Sequence, residues 1–350
     1  MMIPRLYSQI FIIALSVFIF SSCKDNGTGP IVTPTALHGV YISYENAHVG
    51  GSDYCFIDLD KDTVFNNVYE NTNGSAFIDG PGKIALIGQN LYMVCAGAPS
   101  QGGRIYEVNT SNNHLIKSQA FGNGPRSFEI NNGNIFVSSA GGAYATLFDL
   151  NLTILNDFIS VGFSPGKVSY AFGHYFVCRN TEASFKDLAV VNESSLLATM
   201  APFNFLPMAV VNNSKGYYLS GSNHKTVYRL DSVTYNLIDS IVLPTSGDTT
   251  REMVKEGDLK MLVSVDSTEV WEINLASNPP TSRLLIPFPG GRFRITTIGY
   301  EALTGRIYLL DNDGGPPYFG IVRVYDPATG TQLKFYTTIG RNPNSLAFKF

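Results

Sequence analysis

One tryptophan, five histidines and four cysteines in 350 residues leave little material for several common chemistries. A single Trp excludes a repeat array built on a recurring Trp-Asp dipeptide. No two cysteines stand in C-x-x-C spacing, which excludes a zinc ribbon and a dithiol redox motif. The histidines (His38, His48, His114, His174 and His224) are scattered without metal spacing or HExxH, and His114 and His174 fall in tight turns. There is no glycine-rich phosphate loop opening a helix. Asp311-Asn312-Asp313 followed by two glycines resembles the beginning of a calcium loop, but the rest of that motif is missing and the run reads as a plain loop. No metal and no cofactor are expected. Charge is scarce too: charged residues make up 15%, with 24 basic against 28 acidic. Such a chain lacks the basic footprint of a nucleic-acid binder, so no nucleic-acid partner is expected. From about His38 onward no convincing helical stretch is present.

The first residues read as a targeting segment. Arg5 supplies the positive region, Ile10–Phe20 an apolar run, and Ser21-Ser22-Cys23 the ending. The run is shorter than the ~20 residues that a membrane-spanning helix needs. Phe20-Ser21-Ser22-Cys23 resembles a bacterial lipobox, with Phe in place of the usual Leu. That resemblance implies acylation of Cys23 and an anchor on the membrane. Residues 23–36, rich in Gly, Pro, Thr and Asp, read as a flexible tether. Lys24 rather than Asp follows the lipid site, which by likeness to lipoprotein sorting rules favours the outer membrane. Whether the protein would face the periplasm or the cell exterior stays open. The remaining cysteines, Cys55, Cys95 and Cys178, lie in apolar strand-like runs and read as buried thiols. A Cys55–Cys95 disulfide is the alternative that an oxidising compartment permits.

Residues 37–350 alternate short runs of Val, Ile, Tyr, Phe and Leu with clusters of Gly, Asn, Asp and Pro, which is a strand-and-turn pattern. A four-strand unit recurs. Residues 125–160 contain SFEIN, NIFVSS, ATLFDL and ILNDFIS, and the same order appears before and after them. Asp58, Asn109, Asp149, Asn192, Asp231, Asn274 and Asp326 mark the third strand of each unit, at spacings of 39 to 52 residues. Their side chains suit the capping of the turn that follows. Pro81, Pro125, Pro165, Pro207, Pro289 and Pro343 precede most first strands. The junction from Pro244 to Arg251 is irregular. The chain ends on a first strand, residues 344–350, and its first unit begins with second-to-fourth strands. The two fragments make one unit. An all-β, seven-bladed β-propeller, closed by pairing of the C-terminal strand with N-terminal strands, is therefore expected.

The order of proline, innermost strand, "IYV"-like second strand and "V-x-D/N" third strand resembles the YVTN/YncE-type seven-bladed propellers. The opening from Gly39 to Phe77 resembles the bacterial cell-surface lipoproteins of that group. The YVTN tetrapeptide itself is absent, its places taken by IFVSS, HYFVC, YYLSG and IYLLD. Some surface lipoproteins of this kind capture corrinoids for an outer-membrane transporter, so the resemblance implies nutrient capture as one function.

Loops joining one blade to the next converge on one mouth of a propeller channel. Lys83, Arg126, Lys167 and Arg292 each stand within three residues after a junction proline, and Arg251 lies near the irregular junction. A basic ring on an acidic protein suits an anionic group; ordinary solvated loop charge is the alternative. Further contact candidates on that face are Glu45, Asn46, His48, Asp53, Gln101, Arg179, Asn180, Phe185, Asp311, Asn312 and Tyr318. A non-catalytic recognition propeller for a small molecule, an anionic metabolite or corrinoid, or for a partner protein such as an outer-membrane transporter is the first expectation. The alternatives are a propeller enzyme of lactonase or lyase type and a structural or adhesive surface-layer component. An enzyme would need carboxylates, Asn or His around the channel, which the innermost strands do not obviously offer.

The anchor has a direct test. Metabolic labelling with a fatty acid should mark the wild type and not Cys23→Ser, and the variant should leave the membrane fraction. An unlabelled wild type would exclude lipidation at Cys23.

Overall fold

The computed structural model describes residues 38–45, 51–97, 102–287, 294–312 and 319–350. Cys23 and the expected signal segment and tether lie outside these residues. Five four-stranded antiparallel sheets and one seven-stranded sheet make up the fold. The larger sheet is two blades joined by the long strand Gln332–Lys349. Its first half pairs with Phe319–Tyr325 as the outer strand of blade seven, and its second half pairs with Gly39–Glu45 as the inner strand of blade one. The register Gly39↔Lys349 through Ser43↔Ser345 closes the ring. The protein is a seven-bladed β-propeller with the closure expected from its ends.

Within a blade the two middle strands are the most buried and the outermost the least. Second strands such as Asn90–Cys95 and Asn134–Ser139 are buried along nearly their whole length. Outer strands such as Leu237–Val242 are largely exposed. The apolar side chains gather between blades, in one cluster per interface. Tyr54, Phe56, Ile84 and Met93 fill the first, between blades one and two. Val40, Ile42, Tyr308 and Val322 fill the last, between blades one and seven. Cys55 belongs to that last cluster and Cys95 to the first, so the two thiols face different interfaces. Cys55, Cys95 and Cys178 are free and buried, and burial pushes each thiol well up from its ordinary range.

The seven Asp/Asn markers do what their chemistry suggests. Each side chain accepts from backbone N–H groups of the turn after its strand: Asp58 from Asp60 and Lys61, Asn109 from Ser111, Asp149 from Thr153, Asn192 from Ser194 and Ser195. Asp231 holds Val233 and Thr234, Asn274 holds Ala276, and Asp326 holds Ala328 and Thr329. These bonds favour the ionised form and hold the exposed carboxyls of Asp231 and Asp326 below their usual range.

A second repeated device sits where each inner strand begins. The pairing register slips between Pro81 and Ile84, Pro125 and Ser127, Pro207 and Ala209, and Thr250 and Met253. These are β-bulges, which bend the strand and turn a carbonyl outward. Buried serines of the preceding blade take up carbonyls in two of these bulges, Ser43 donating to Gly82 (3.1 Å) and Ser220 to Arg251 (2.7 Å), and Ser138 donates likewise to Gly166, just before the blade-four strand.

One expectation fails. The run after Asp58 forms only a three-residue strand, Thr63–Phe65, followed by the short helix Val68–Asn73. Asp53, buried in the neighbouring strand, accepts from the backbone N–H groups of Tyr69 and Glu70 at 3.0 Å, fixing the first turn.

Ring closure sets a clear expectation. Deleting residues 344–350 uncovers Val40, Tyr41 and Ile42, all fully buried, and leaves an open sheet edge. Aggregation, or a fall of at least ~10 °C in Tm, is expected by calorimetry.

Candidate ligand-binding channel

The inner strands surround a cavity of about 680 Å³ along the propeller axis. Every blade reaches it. Lys83, Arg126, Lys167, Asn212, Glu252, Thr297 and Asn344 come from seven different inner strands or their leading bulges. The bulges matter here, because an extra residue at the start of a strand changes which side chain faces the axis.

Of the five cations singled out by position, three line the cavity: Lys83, Arg126 and Lys167. Lys83 forms an ion pair with Glu129 of the next blade, and its ammonium lies 5.8 Å from the centre of the Phe128 ring. Lys167 of blade four pairs with Glu252 of blade six, reaching past blade five. Arg126 is exposed and has no ion pair or hydrogen-bond partner among the described residues. Arg251 does not line the cavity. The bulge gives that place to Glu252, and the Arg251 Nε is buried without a hydrogen-bond partner. Arg292 lies outside the described residues, as do Asn46, His48, Gln101 and Tyr318.

Several contact candidates prove to be structural. Asp53 is fully buried beneath the short helix. Asp311 is fully buried and held by the Arg323 guanidinium and the Arg294 N–H. Arg179 is buried against Asp187, donating to both carboxylate oxygens at 2.6 Å. Glu45 accepts from Asn342, which also meets Asn312. Asn180 does line the cavity, and its amide donates to the Met208 carbonyl at 3.2 Å.

Glu129, Glu252, Tyr170 and Asn212 line the cavity and were not singled out from the sequence. The signal for the two carboxylates was local: Glu129 stands three residues after Arg126, and Glu252 directly follows Arg251. The G-x-S-x-G of a hydrolase nucleophile turn was not expected, yet Gly162-Phe163-Ser164-Pro165-Gly166 spells it. The context argues against that role. The run joins strand Ile154–Ser160 to strand Val168–Ala171 with no helix following, and Ser164 is buried and absent from the cavity wall.

Chemically, the cavity offers one open guanidinium, two lysines whose charge is shared with carboxylates, an exposed third lysine, Lys255, with no ion pair among the described residues, and amide and hydroxyl groups around them. Such a set can hold an anionic group by charge-assisted hydrogen bonds. Among the described residues no group of three or more His, Cys, Asp or Glu is placed to hold a metal ion. No described helix is long and apolar enough to cross a membrane.

No protein-family model matches the chain, and no curated protein matches it in sequence. Solved structures do match in fold. A quinoprotein alcohol dehydrogenase-like protein of Bacteroides thetaiotaomicron superposes with a TM-score of 0.69 at 14% identity, over 90% of this chain and 79% of its own. The periplasmic gluconolactonase of Pseudomonas aeruginosa gives 0.64 at 12% identity, over 89% and 99%. A candidate 6-phosphogluconolactonase of Bacteroides fragilis gives 0.61 at 13%, over 91% and 99%. At these identities the likeness shows a shared β-propeller fold.

Burial pushes the Asp53 carboxyl up to about 7 against the pull of three backbone N–H groups. Raised in the folded state, it binds its proton more tightly there than in the unfolded chain. Its contribution is therefore fully present below about pH 4 and is lost as pH rises towards 7, by roughly 1.4 kcal/mol per pH unit. Melting curves from pH 4 to 7 should show a Tm that falls less steeply in Asp53→Asn than in the wild type.

Proposed function

We propose that the protein is a lipoprotein of the outer membrane or cell surface, anchored through Cys23, whose propeller channel recognises a small anionic ligand without transforming it. The reading places it with the YVTN/YncE-type surface propellers, for which the strand order and the lipobox-like ending are the support. One observation carries the ligand: Arg126, exposed in a cavity of about 680 Å³ and unpaired among the described residues, in a wall that also holds Lys255 without an ion pair and Lys83 and Lys167 already satisfied by carboxylates. An uncompensated guanidinium in a concave site favours an incoming carboxylate or phosphate, as on an anionic metabolite or the phosphate of a corrinoid. A ligand held this way suits hand-over to an outer-membrane transporter.

A lactonase-type enzyme is the second reading, and Glu129 and Glu252 in the same cavity are what favour it. Each carboxylate is held by a lysine, an arrangement suited to fixing the wall rather than to taking up a proton. Turnover of gluconolactone by the purified protein would favour this second reading.

Binding is tested by calorimetric titration with orthophosphate, citrate and a corrinoid. At least one should bind, more weakly as salt rises, since the screening length falls to about 8 Å at physiological ionic strength. Arg126→Ala should weaken binding about tenfold or more and leave Tm nearly unchanged, because the side chain is exposed and unpaired. Absence of binding by all three probes, or unchanged affinity in Arg126→Ala, would overturn the anion reading.

A further inference from the structure

Next to the cation-lined cavity in the chain, blade four presents an aromatic surface that has no part in the fold's closure or in the ion pairs of the cavity wall. Phe163 lies in the connection between blades three and four, three residues before Gly166, which lines the cavity. It is 65% exposed, although it is a large apolar side chain. Its ring is stacked with that of Phe185, centroids 6.4 Å apart.

One buried arginine holds the Phe185 ring and the backbone of Phe163. The Arg179 guanidinium lies 4.4 Å from the centre of the Phe185 ring. Its Nε donates to the Phe163 carbonyl at 2.8 Å, and Asp187 grips it with both oxygens. The backbone makes room for this clamp at Gly162, where φ is +74° and a Cβ would stand 2.7 Å from the Arg179 guanidinium carbon. Asn180 and Thr181, directly after Arg179, are part of the cavity wall. A Cβ on Gly166 would meet the Asn180 oxygen at 1.9 Å, so the cavity wall and the aromatic connection are packed together.

We propose that the ligand of this channel carries a planar ring beside its acidic group, the ring stacking on Phe163 while the acid meets Arg126. This rests on the anion reading above and adds the class of ligand. A rigid, exposed aromatic face fixed next to a charged cavity is pre-organised for stacking, because little ordering remains for binding to supply. Saturated anions of the same charge have no use for it.

Two probe pairs of the same phosphate chemistry, differing by a planar ring, test the idea at short and long reach. They are phenyl phosphate against ethyl phosphate, and adenosine 5′-monophosphate against ribose 5-phosphate. Titrated into the full protein, the ringed member of at least one pair should bind about five- to tenfold tighter. Phe163→Ala should abolish that preference while leaving ethyl phosphate or ribose 5-phosphate unchanged, and Phe163→Tyr should retain it. Arg126→Ala should weaken both members of the pair alike. Equal affinity within both pairs, or a preference that survives Phe163→Ala, overturns the ring proposal and leaves the anion reading standing. No binding of any of the four overturns the ring proposal, and the anion reading then stands or falls on orthophosphate, citrate and the corrinoid. Correct folding of the Phe163 variants is read from an unchanged Tm, expected because the side chain is mostly in solvent.

Discussion

Apolar packing between neighbouring blades is what the rest of this molecule depends on. A four-stranded antiparallel sheet has two faces, and here both are covered by other sheets. Tyr41 and Phe56 point towards blade two, while Val40, Ile42 and Cys55 of the same strands point towards blade seven. Alternation along a strand sends successive side chains to opposite neighbours, so every blade is half of two cores and the whole of none. A single blade could not hold its shape alone, and a ring missing one interface would leave two apolar faces in water. This is why closure by residues 344–350 is a requirement of the fold rather than an embellishment.

The same constraint shapes the channel. With the faces of each sheet committed to neighbours, only the edge of each inner strand and its leading bulge remain to meet the axis. Residues there are freed from core packing and can carry charge: Lys83, Arg126, Glu129, Lys167 and Glu252 occupy such places. Two of the four cations lining the cavity are neutralised by carboxylates from other blades, which ties the wall together. Arg126 and Lys255 are left without ion pairs among the described residues, and the functional reading follows from that asymmetry.

Much of the architecture was legible because it repeats. A turn-capping Asp or Asn is a local device, its partners two to four residues away, and seven copies at similar spacing count the blades without any long-range knowledge. The orphan strand at the C-terminus was legible for the same reason, by counting. What escaped depends on distant partners. Val68-Tyr69 reads as strand from its own residues; it becomes helix because Asp53, sixteen residues earlier, holds its first turn. Lys167 and Glu252 are separated by 85 positions, and no local pattern announces their pairing. The choice of Glu252 over Arg251 for the channel wall rests on a single extra residue in a bulge, which inverts the alternation used to assign faces. Candidate contacts such as Asp311 and Arg179 were misplaced because a polar residue near a loop looks the same in sequence whether it faces water or a buried partner.

The first described residue, His38, stacks on the last, Phe350, with ring centroids 6.2 Å apart, and meets the buried Glu301 of blade seven. Both lie at the end of the inner strands remote from Arg126, since Gly39 pairs with Lys349 while the cationic bulges stand at the strands' beginnings. The arrangement has a mechanical meaning. Tension arriving through the segment before His38 and directed along strand Gly39–Glu45 would meet ladders on both sides of that strand, to residues 345–349 and to Ser52–Asp58. Antiparallel hydrogen bonds perpendicular to the load are strained together rather than opened one after another. The strand that would carry a pull on the N-terminus, in shear, is thus the one that the closing strand clasps, and the load would enter at the end of the inner strands remote from Arg126.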